Sequence, residues 1–119
     1  MIDNRSLDKF FDSLNRRDLE QMGDLLAGGA EFFFPKTQPL TGKESILRFF
    51  KILFRQYPEL SFNVQSIIIE GQKAAVHWTN RGINRKGEPY DNEGVTLFKQ
   101  ESSGLIGFIS DFFKDTGKF

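Results

Sequence analysis

The stretch SFNVQSIIIEGQKAAVHWTNRGI, residues 61–83, decides the fold that this sequence predicts. It is rich in β-branched residues, and in its second half apolar and polar residues alternate with a period of two, which is typical of a half-buried β-strand. Gly71 and Gln72 interrupt the pattern, and a connection this short joins antiparallel neighbours. We therefore expect a long hairpin, with strands over about 61–70 and 73–83.

Two further strands are predicted over about 89–100 and 105–113, from the length of the runs and their content of β-branched residues. Turn-forming residues at 84–87 and 102–104 separate these strands from the hairpin and from each other. Four long strands joined by short loops form an antiparallel meander. Because long strands twist, we expect the meander to curl around the segments that pack on it.

The amino-terminal half is predicted to be helical. Apolar residues at positions i, i+3, i+4 and i+7 mark a first helix: Leu7, Phe10, Phe11 and Leu14. Asp18 and Gln21 have the spacing of a capping box that starts a second helix, and Gly28-Gly29 is expected to end it. A short strand over 30–34 follows, and Pro35 stops it.

A third helix is predicted after Thr41-Gly42-Lys43-Glu44, which has the form of another capping box, and Pro58 closes this helix. Its apolar residues share one side: Ile46, Leu47, Phe50, Leu53, Phe54 and Tyr57. Helices first and a long meander second predict an α+β architecture in a single domain over residues 1–119. We expect a cone-shaped barrel, in which a curved antiparallel sheet, made of the four-strand meander and the short strand, wraps around three helices and encloses one pocket.

The composition predicts a dry interior and a chain of no net charge. Fourteen Phe stand against one Trp and two Tyr, and Phe fills volume without needing a hydrogen-bond partner. Sixteen basic and sixteen acidic residues cancel, which provides no field for nucleic acid or an anionic membrane. The lack of cysteine and the single histidine argue against a metal site, and we expect no cofactor. The amino terminus has no apolar signal segment, so the expected location is cytoplasmic.

The order helix, helix, short strand, helix and long meander, from about residue 5 to 116, resembles the nuclear transport factor 2-like fold and, more narrowly, its SnoaL-like branch. Segments in matching positions carry this resemblance: residues 17–20, 34–35, 40–46, 90–93, 104–106 and 110–116. The resemblance implies a cone with a pocket at its wide end and, often, a homodimer formed through the outer face of the sheet. The family joins polyketide cyclases, ketosteroid isomerase, dehydratases and limonene epoxide hydrolase with members of no known activity, so fold alone does not decide function.

Asp111 is the candidate catalytic residue. It interrupts the apolar strand 105–113, where a carboxylate costs free energy unless it is paired, exposed or protonated. The resemblance implies that an Asp in this position, before an aromatic pair, faces the pocket as an acid or a base. Desolvation by Phe rings would raise its pKa towards neutral pH, as proton transfer requires. The alternative is an Asp at a fraying strand end that faces water.

Five residues are candidate ligand contacts: Trp78, Asn80, Tyr90, Asn92 and Phe33. Trp78 and Asn80 share a strand face, and Trp78 is either core or an aromatic wall for a flat ligand. Asn92 either points inward, towards a ligand carbonyl and a protonated Asp111, or bonds its own backbone. Tyr90 is expected at the rim, and Phe33 is one of several Phe that either fill the core or line the cavity.

Two residue types that related enzymes use are missing here, and each argues against one reaction. The resemblance implies a charged pair at the Trp78 and Asn80 positions in epoxide hydrolases, and neither residue is charged here, which argues against epoxide hydrolysis. Ketosteroid isomerase has a tyrosine on its first helix as an oxyanion donor, and Phe10, Phe11 and Leu14 cannot donate. A steroid-isomerase assignment is therefore not supported by that helix.

Three functions remain open. The first is a cofactor-independent isomerase, cyclase or dehydratase that acts on a small apolar carbonyl compound, with Asp111 moving a proton and Asn80 and Asn92 orienting the substrate. The second is a non-catalytic module that binds a small hydrophobic ligand in the same pocket. The third is a dimerisation domain whose pocket is vestigial. A homodimer is expected from the resemblance alone.

Overall fold

Three α-helices and six strands make up the computed structural model, which describes residues 1–118; Phe119, the last residue of the predicted domain, lies outside this range. The helices are α1 (Asn4–Arg16), α2 (Leu19–Leu25) and α3 (Lys43–Gln56). The strands are β1 (Leu26–Phe33), β2 (Leu40–Thr41), β3 (Glu59–Glu70), β4 (Lys73–Ile83), β5 (Pro89–Gln100) and β6 (Ile106–Phe113). A short 3₁₀ turn, Thr116–Lys118, follows β6. None of these helices is long and apolar enough to cross a membrane. The predicted α+β fold class is confirmed.

All six strands form one curved sheet in the order β2-β1-β6-β5-β4-β3. The strands β3 to β6 are a meander of antiparallel neighbours, as the sequence predicts. The first strand, however, runs parallel to β6, so the sheet is mixed and not wholly antiparallel. This pairing is possible because the chain between β1 and β6 is long enough to return in the same direction. The sheet does not close into a barrel, since β2 and β3 are its two edges.

Strand β1 begins earlier than predicted, because Gly28 and Gly29 do not end a helix. Helix α2 ends at Leu25, and the two glycines lie exposed within β1. The pairing of β1 with β6 shifts its register between Leu26 and Glu31, which places both glycines in an irregular stretch of the ladder. Glycine suits such a stretch because it has no side chain that must pack on a distorted strand.

The two predicted capping boxes have different outcomes. At α2 the Asp18 side chain accepts a hydrogen bond of 3.0 Å from the backbone N–H of Gln21, as predicted. At α3 the N-cap residue is Gly42, and no side chain caps the helix, so this prediction is wrong. Thr41 instead pairs with Glu31 in the β1–β2 ladder, and Gly42, with a φ of 101°, turns the chain from β2 into α3.

The helices pack on the concave face of the sheet. The four apolar residues predicted on α1 are all buried: Leu7, Phe10, Phe11 and Leu14. The ring of Phe10 lies 5.1 Å from that of Phe98 on β5 and 6.2 Å from that of Phe50 on α3, between centroids. Burial of one such side chain stabilises the fold by about 1.5–3 kcal/mol. These aromatic contacts hold α1 and α3 against the sheet, and the space that they leave open is the candidate site.

Candidate functional site

A cavity of about 320 Å³ lies between the helices and the concave face of the sheet. Aromatic rings form much of its wall, among them Phe10, Phe11, Phe49, Phe50, Phe62 and Phe113. Four polar side chains of the sheet interrupt this wall: Asn80, Tyr90, Thr96 and Asp111. The exposed lining residues lie in the turn after β1 and in the last turns of α3, so the mouth of the cavity is there.

Asp111 lies on β6 directly opposite Thr96 of β5, and both residues line the cavity. The Thr96 hydroxyl donates a hydrogen bond of 2.5 Å to Oδ1 of Asp111. Burial raises the pKa of Asp111 from its ordinary value of 3.8 to about 7, and the bond from Thr96 opposes this rise only in part. The residue keeps some exposed surface, but its carboxyl group lies deep enough among the rings for desolvation to dominate. At neutral pH the group is divided between its acid and base forms.

A second hydrogen bond fixes the direction of the first. Nε1 of Trp78 donates to Oγ1 of Thr96 at 2.8 Å, and an indole N–H can only donate. Thr96 therefore accepts from Trp78 and gives its single hydroxyl proton to Oδ1 of Asp111. If Thr96 keeps this bond when Asp111 is protonated, the proton resides on Oδ2, which Thr96 does not use. These three residues form a directed chain of hydrogen bonds, the Trp78–Thr96–Asp111 relay.

Gly94 makes room for this relay. It pairs with Trp78 on one side and with Phe113 on the other. A Cβ atom at this position would lie 2.7 Å from Cζ2 of Trp78 and 2.5 Å from the backbone oxygen of Phe112. Such distances are shorter than van der Waals contact, so the indole reaches Thr96 because residue 94 has no side chain.

Trp78 belongs to the core and not to the cavity surface. It is 1% exposed, and its ring packs edge-on against Phe62 at 5.1 Å and Phe113 at 5.0 Å. Those two rings line the cavity, so Trp78 stands behind the wall. Of the two interpretations that the sequence left open, this geometry is that of a core residue, which also donates a hydrogen bond to Thr96.

Asn80 lies on β4, is 5% exposed and lines the cavity. Its Oδ1 has no hydrogen-bond partner, and within residues 1–118 it is the one buried side-chain nitrogen or oxygen in that condition. An unpaired buried acceptor destabilises a protein by about 1–3 kcal/mol. A group that enters the cavity and donates a hydrogen bond to Asn80 would remove this cost.

Asn92 does not reach the cavity, although it is buried on β5. Its Nδ2 donates to the backbone oxygen of Asp115 at 2.8 Å and to the hydroxyl of Tyr90 at 3.2 Å. Its Oδ1 accepts from the backbone N–H groups of Glu93 at 2.9 Å and of Asp115 at 3.2 Å. The predicted contact between Asn92 and Asp111 is not formed, because this amide fastens the segment that follows β6 to the sheet.

Tyr90 lines the cavity from β5, and its ring lies 4.8 Å from that of Tyr57 just after α3. Burial raises the pKa of the Tyr90 hydroxyl to about 12, so the group stays protonated at neutral pH. Because its oxygen already accepts from Asn92, its own proton points elsewhere and can be donated to a ligand.

Phe33 lies on the outer side of the sheet. Its ring packs against Phe108 of β6 at 5.3 Å, whereas its neighbour Phe32 is fully buried in the core. Phe33 is therefore not among the residues that line this cavity, although it borders a shallower depression that also includes Asp111. Three consecutive Phe show no contrast between the two faces of a strand, so the sequence pattern does not reveal which of them points inward.

Thr96 is a site residue that the sequence pattern did not single out, although a signal was present. It falls between Gly94 and Phe98 among the alternating buried positions of β5. A hydroxyl group on a buried face needs a hydrogen-bond partner, and neighbouring strands are the nearest source. That requirement connects Thr96 with Asp111.

A wider and more open cleft, of about 740 Å³, is lined by residues of β3, β4, β5 and the segment after β6. Much of its lining is charged, but charges there pair with each other: Lys118 with Asp91 at 2.5 Å, and Lys114 with Glu93 at 3.4 Å. Exposed pairs of this kind are worth about 0–1 kcal/mol. The smaller cavity combines apolar walls with a few converging polar groups, which suits a small ligand better.

Comparisons with known proteins agree with this architecture. The sequence profile of the SnoaL-like domain family matches residues 7–106. No curated protein matches the chain.

Three solved structures illustrate the similarity. A nuclear transport factor 2-like protein of unknown function from Burkholderia pseudomallei has a TM-score of 0.87 at 19% identity, with 95% of this chain and 90% of the other covered. A protein assigned as a SnoaL-like polyketide cyclase from Jannaschia sp. CCS1 has a TM-score of 0.83 at 21% identity, with 92% and 83% covered. A protein assigned as a ketosteroid isomerase from Kribbella flavida has a TM-score of 0.76 at 25% identity, with 94% and 77% covered.

Proposed function

This chain belongs to the SnoaL-like domain family, and from that premise we propose that it is a small-molecule pocket protein in which Asp111 transfers a proton on an apolar carbonyl compound. Its structural relatives include proteins assigned as a polyketide cyclase and as a ketosteroid isomerase. The observation that carries the proposal is the carboxyl group of Asp111 in the cavity wall, with a pKa of about 7. A group that removes and returns a proton near neutral pH needs both forms to be available.

In the proposed reaction, the Asp111 carboxylate removes a proton from the carbon next to the carbonyl group. The C–H electron pair forms a carbon–carbon double bond and the carbonyl π pair moves onto oxygen, which gives an enolate and a protonated Asp111. The proton sits on Oδ2 if Oδ1 stays bonded to Thr96. If the substrate has a β,γ carbon–carbon double bond, the negative charge extends over it, and return of the proton to the γ carbon moves the double bond and completes an isomerisation. In a cyclisation, the enolate carbon attacks a second carbonyl group, and the proton goes to the new alkoxide.

The enolate oxygen needs a hydrogen-bond donor, and Tyr90 is too far away to be that donor, because it lies six residues from Thr96 along β5, about 20 Å from the position of Asp111. Its hydroxyl lines the same cavity, and the raised pKa of about 12 keeps its proton in place at neutral pH. The hydroxyl of Tyr90 therefore meets the end of the ligand away from the carbonyl group, and the lack of a donor at the enolate oxygen typically lowers a rate by about 10²–10³-fold. Helix α1 supplies none, because it lines the cavity with Phe10, Phe11 and Leu14.

A non-catalytic binding module for a small hydrophobic ligand is the second candidate function. The lining of α1 favours it, because three apolar residues leave a carbonyl oxygen without a donor from that side. In this function Asp111 and Asn80 orient the ligand without changing it. A ligand that stabilises the protein against heat and is recovered unchanged would support the binding module.

Hydrogen–deuterium exchange of 2-tetralone, an enolisable two-ring ketone, tests the proton transfer without knowledge of the natural substrate. In D₂O we expect the protein to accelerate exchange at the carbons beside the carbonyl group, with a rate that rises as the pH passes about 7. Asp111→Asn should reduce this acceleration by at least about 100-fold. Asp8→Asn, which changes an exposed carboxylate on α1, is the control and should reduce nothing.

Equal acceleration by the wild type and Asp111→Asn would refute the proton-transfer function. If neither protein accelerates exchange, the binding module becomes the better account.

A further inference from the structure

The unpaired Oδ1 of Asn80 affects which ligands the cavity binds favourably. Asn80 is 5% exposed, and no donor within residues 1–118 bonds this oxygen. Folded proteins leave few buried polar atoms without a partner, so each exception calls for a physical explanation. Here the atom belongs to a residue of the cavity wall, where a ligand can supply the partner.

Two neighbouring polar groups are already committed, and the hydroxyl of Tyr90, whose proton is free, does not bond this oxygen. The side-chain amide of Asn92, opposite Asn80 across the ladder, donates to other groups of the chain. Thr96 gives its one hydroxyl proton to Asp111. The backbone of Asn80 lies in the ladder between β3 and β5. Asn80 also borders the wider cleft, whose charged side chains pair with each other, so the cavity is the site where a small apolar ligand can bring the missing donor.

Asn80 and Asp111 are held at different positions along the sheet. Asn80 pairs with Asn92 of β5 and Asp111 pairs with Thr96 of the same strand, so their partners are four residues apart. Four residues correspond to about 13 Å along an antiparallel strand. A ligand that meets both side chains spans the cavity lengthwise. In a space of about 320 Å³ walled by aromatic rings, a flat molecule of two or three rings fits this requirement.

We propose that the ligand of this cavity is an elongated, flat ring ketone that carries a hydroxyl group at the end away from its carbonyl, and that this hydroxyl donates a hydrogen bond to Oδ1 of Asn80. The carbonyl end meets Asp111, and that part rests on the proposed function. The hydroxyl group at the other end is inferred from the unpaired acceptor of Asn80. This acceptor favours hydroxylated ligands whether or not Asp111 transfers a proton. An ether or a hydrocarbon at that end leaves the acceptor unpaired and is disfavoured.

Three naphthyl ketones test the role of the hydroxyl group: 6-hydroxy-2-acetylnaphthalene, its 6-methoxy ether and unsubstituted 2-acetylnaphthalene. They share the rings and the carbonyl group, so they differ at the end that meets Asn80. By isothermal titration calorimetry at about pH 6, where the naphthol is neutral, we expect the wild type to bind the hydroxy compound at least about tenfold more tightly than either analogue. Equal affinities for the three, or binding of none, would overturn the proposal.

Substitution of Asn80 shows whether this residue carries the preference. Asn80→Leu keeps the size of the side chain but removes the acceptor, so the tenfold preference should vanish. Because an unpaired buried oxygen is also lost, the melting temperature of the ligand-free protein should rise by about 3–6 °C. Asn80→Asp retains an acceptor and should retain the preference. Thr79→Val, on the same strand but on its outer face, is the matched control and should leave the preference unchanged.

Asp111→Asn separates this inference from the proposed function. If this variant loses the preference while Asn80→Leu keeps it, the hydroxyl group binds Asp111 and the inference is overturned. If Asp111→Asn exchanges 2-tetralone as fast as the wild type while Asn80→Leu loses the preference, the proton-transfer function fails and the inference stands. Both proposals stand if Asp111→Asn loses only the exchange of 2-tetralone and Asn80→Leu loses only the preference for the hydroxy compound.

Discussion

At the scale of single residues, Asp111 makes stability depend on pH in the direction opposite to that of most carboxylates. Its ordinary pKa is 3.8, and burial raises its pKa in the folded protein to about 7. Between these values the unfolded chain releases a proton that the folded chain keeps. The contribution of Asp111 to stability is therefore complete below about pH 4, falls as the pH rises to about 7, and is level above that. A difference of this size corresponds to about 4 kcal/mol of unfolding free energy.

We expect Asp111→Asn to be more stable than the wild type at pH 8 and about equally stable near pH 4. The amide has no charge to bury, and its oxygen can still accept the bond from Thr96. Urea unfolding of both proteins over this pH range measures the difference, which should reach about 2–4 kcal/mol at the upper end. Asp8→Asn, which removes an exposed carboxylate of α1, is the control substitution. A variant that gains no stability at pH 8 would mean that the carboxyl group of Asp111 is solvated in the folded protein.

At the scale of elements, the Trp78–Thr96–Asp111 relay joins three neighbouring strands and depends on their register. Thr96→Val removes the donor to the carboxylate, so the pKa of Asp111 should rise further above its ordinary value, because that bond lowers it. Trp78→Phe should act in the same direction but more weakly, since the Thr96 hydroxyl is then free to turn away. Titration of the Asp111 carboxyl carbon by NMR measures both effects, and Thr79→Val on the outer face is the control.

The substitution Gly94→Ala tests the same relay by placing a methyl group against the indole of Trp78. Its Cβ would lie 2.7 Å from Cζ2 of Trp78, so the indole must move and its bond to Thr96 must lengthen. We expect the pKa of Asp111 in Gly94→Ala to shift as it does in Trp78→Phe. An unchanged or lowered pKa in Thr96→Val would show that the hydroxyl does not donate to the carboxylate.

The elements that were predicted correctly depend on residues close in sequence. The i, i+3, i+4 pattern of α1 and the cap of Asp18 on α2 are local, and so are the short loops that make β3 to β6 a meander. The errors concern choices that distant residues decide. Gly28-Gly29 suits a helix end and a strand bulge equally, and its pairing with β6 selects the bulge. Thr41 suits an N-cap or a strand, and its partner on β1 selects the strand.

The same reasoning explains which site residues could be predicted. Asp111 and Asn80 are polar residues on otherwise apolar strand faces, and both line the cavity. Asn92 has the same pattern, but its amide holds the segment after β6, a contact with Asp115 that no local pattern encodes. Thr96 became part of the site through its bonds across two strand pairs, which only the register reveals.

At the scale of the whole molecule, the outer face of the sheet carries a mainly apolar row of residues, some of which are exposed. Residues in register across five strands make up this row: Ile68, Ala75, Leu97, Ser110 and Phe33. Ile68 is 70% exposed, Leu97 is 39% exposed, and Phe112 next to the row on β6 is 54% exposed. Apolar side chains gathered on one face indicate an interaction surface. The adjacent row carries charges of both signs: Glu70, Lys73, Lys99 and Glu31.

We propose that two copies of the chain pair through this outer face about a twofold axis. Such a pairing buries the apolar row on both copies and lets opposite charges of the adjacent row meet. The wild type should then sediment as a dimer at micromolar concentration, and Phe112→Glu should sediment as a monomer, because it puts a charge at the contact. Ile52→Glu is the control: Ile52 is 47% exposed but lies on α3 at the cavity mouth, so the dimer should persist. A monomeric wild type would contradict the pairing, and a dimeric Phe112→Glu would contradict the choice of face. Since the mouth lies on the helical side of the molecule, a dimer of this kind leaves both cavities open to their ligands.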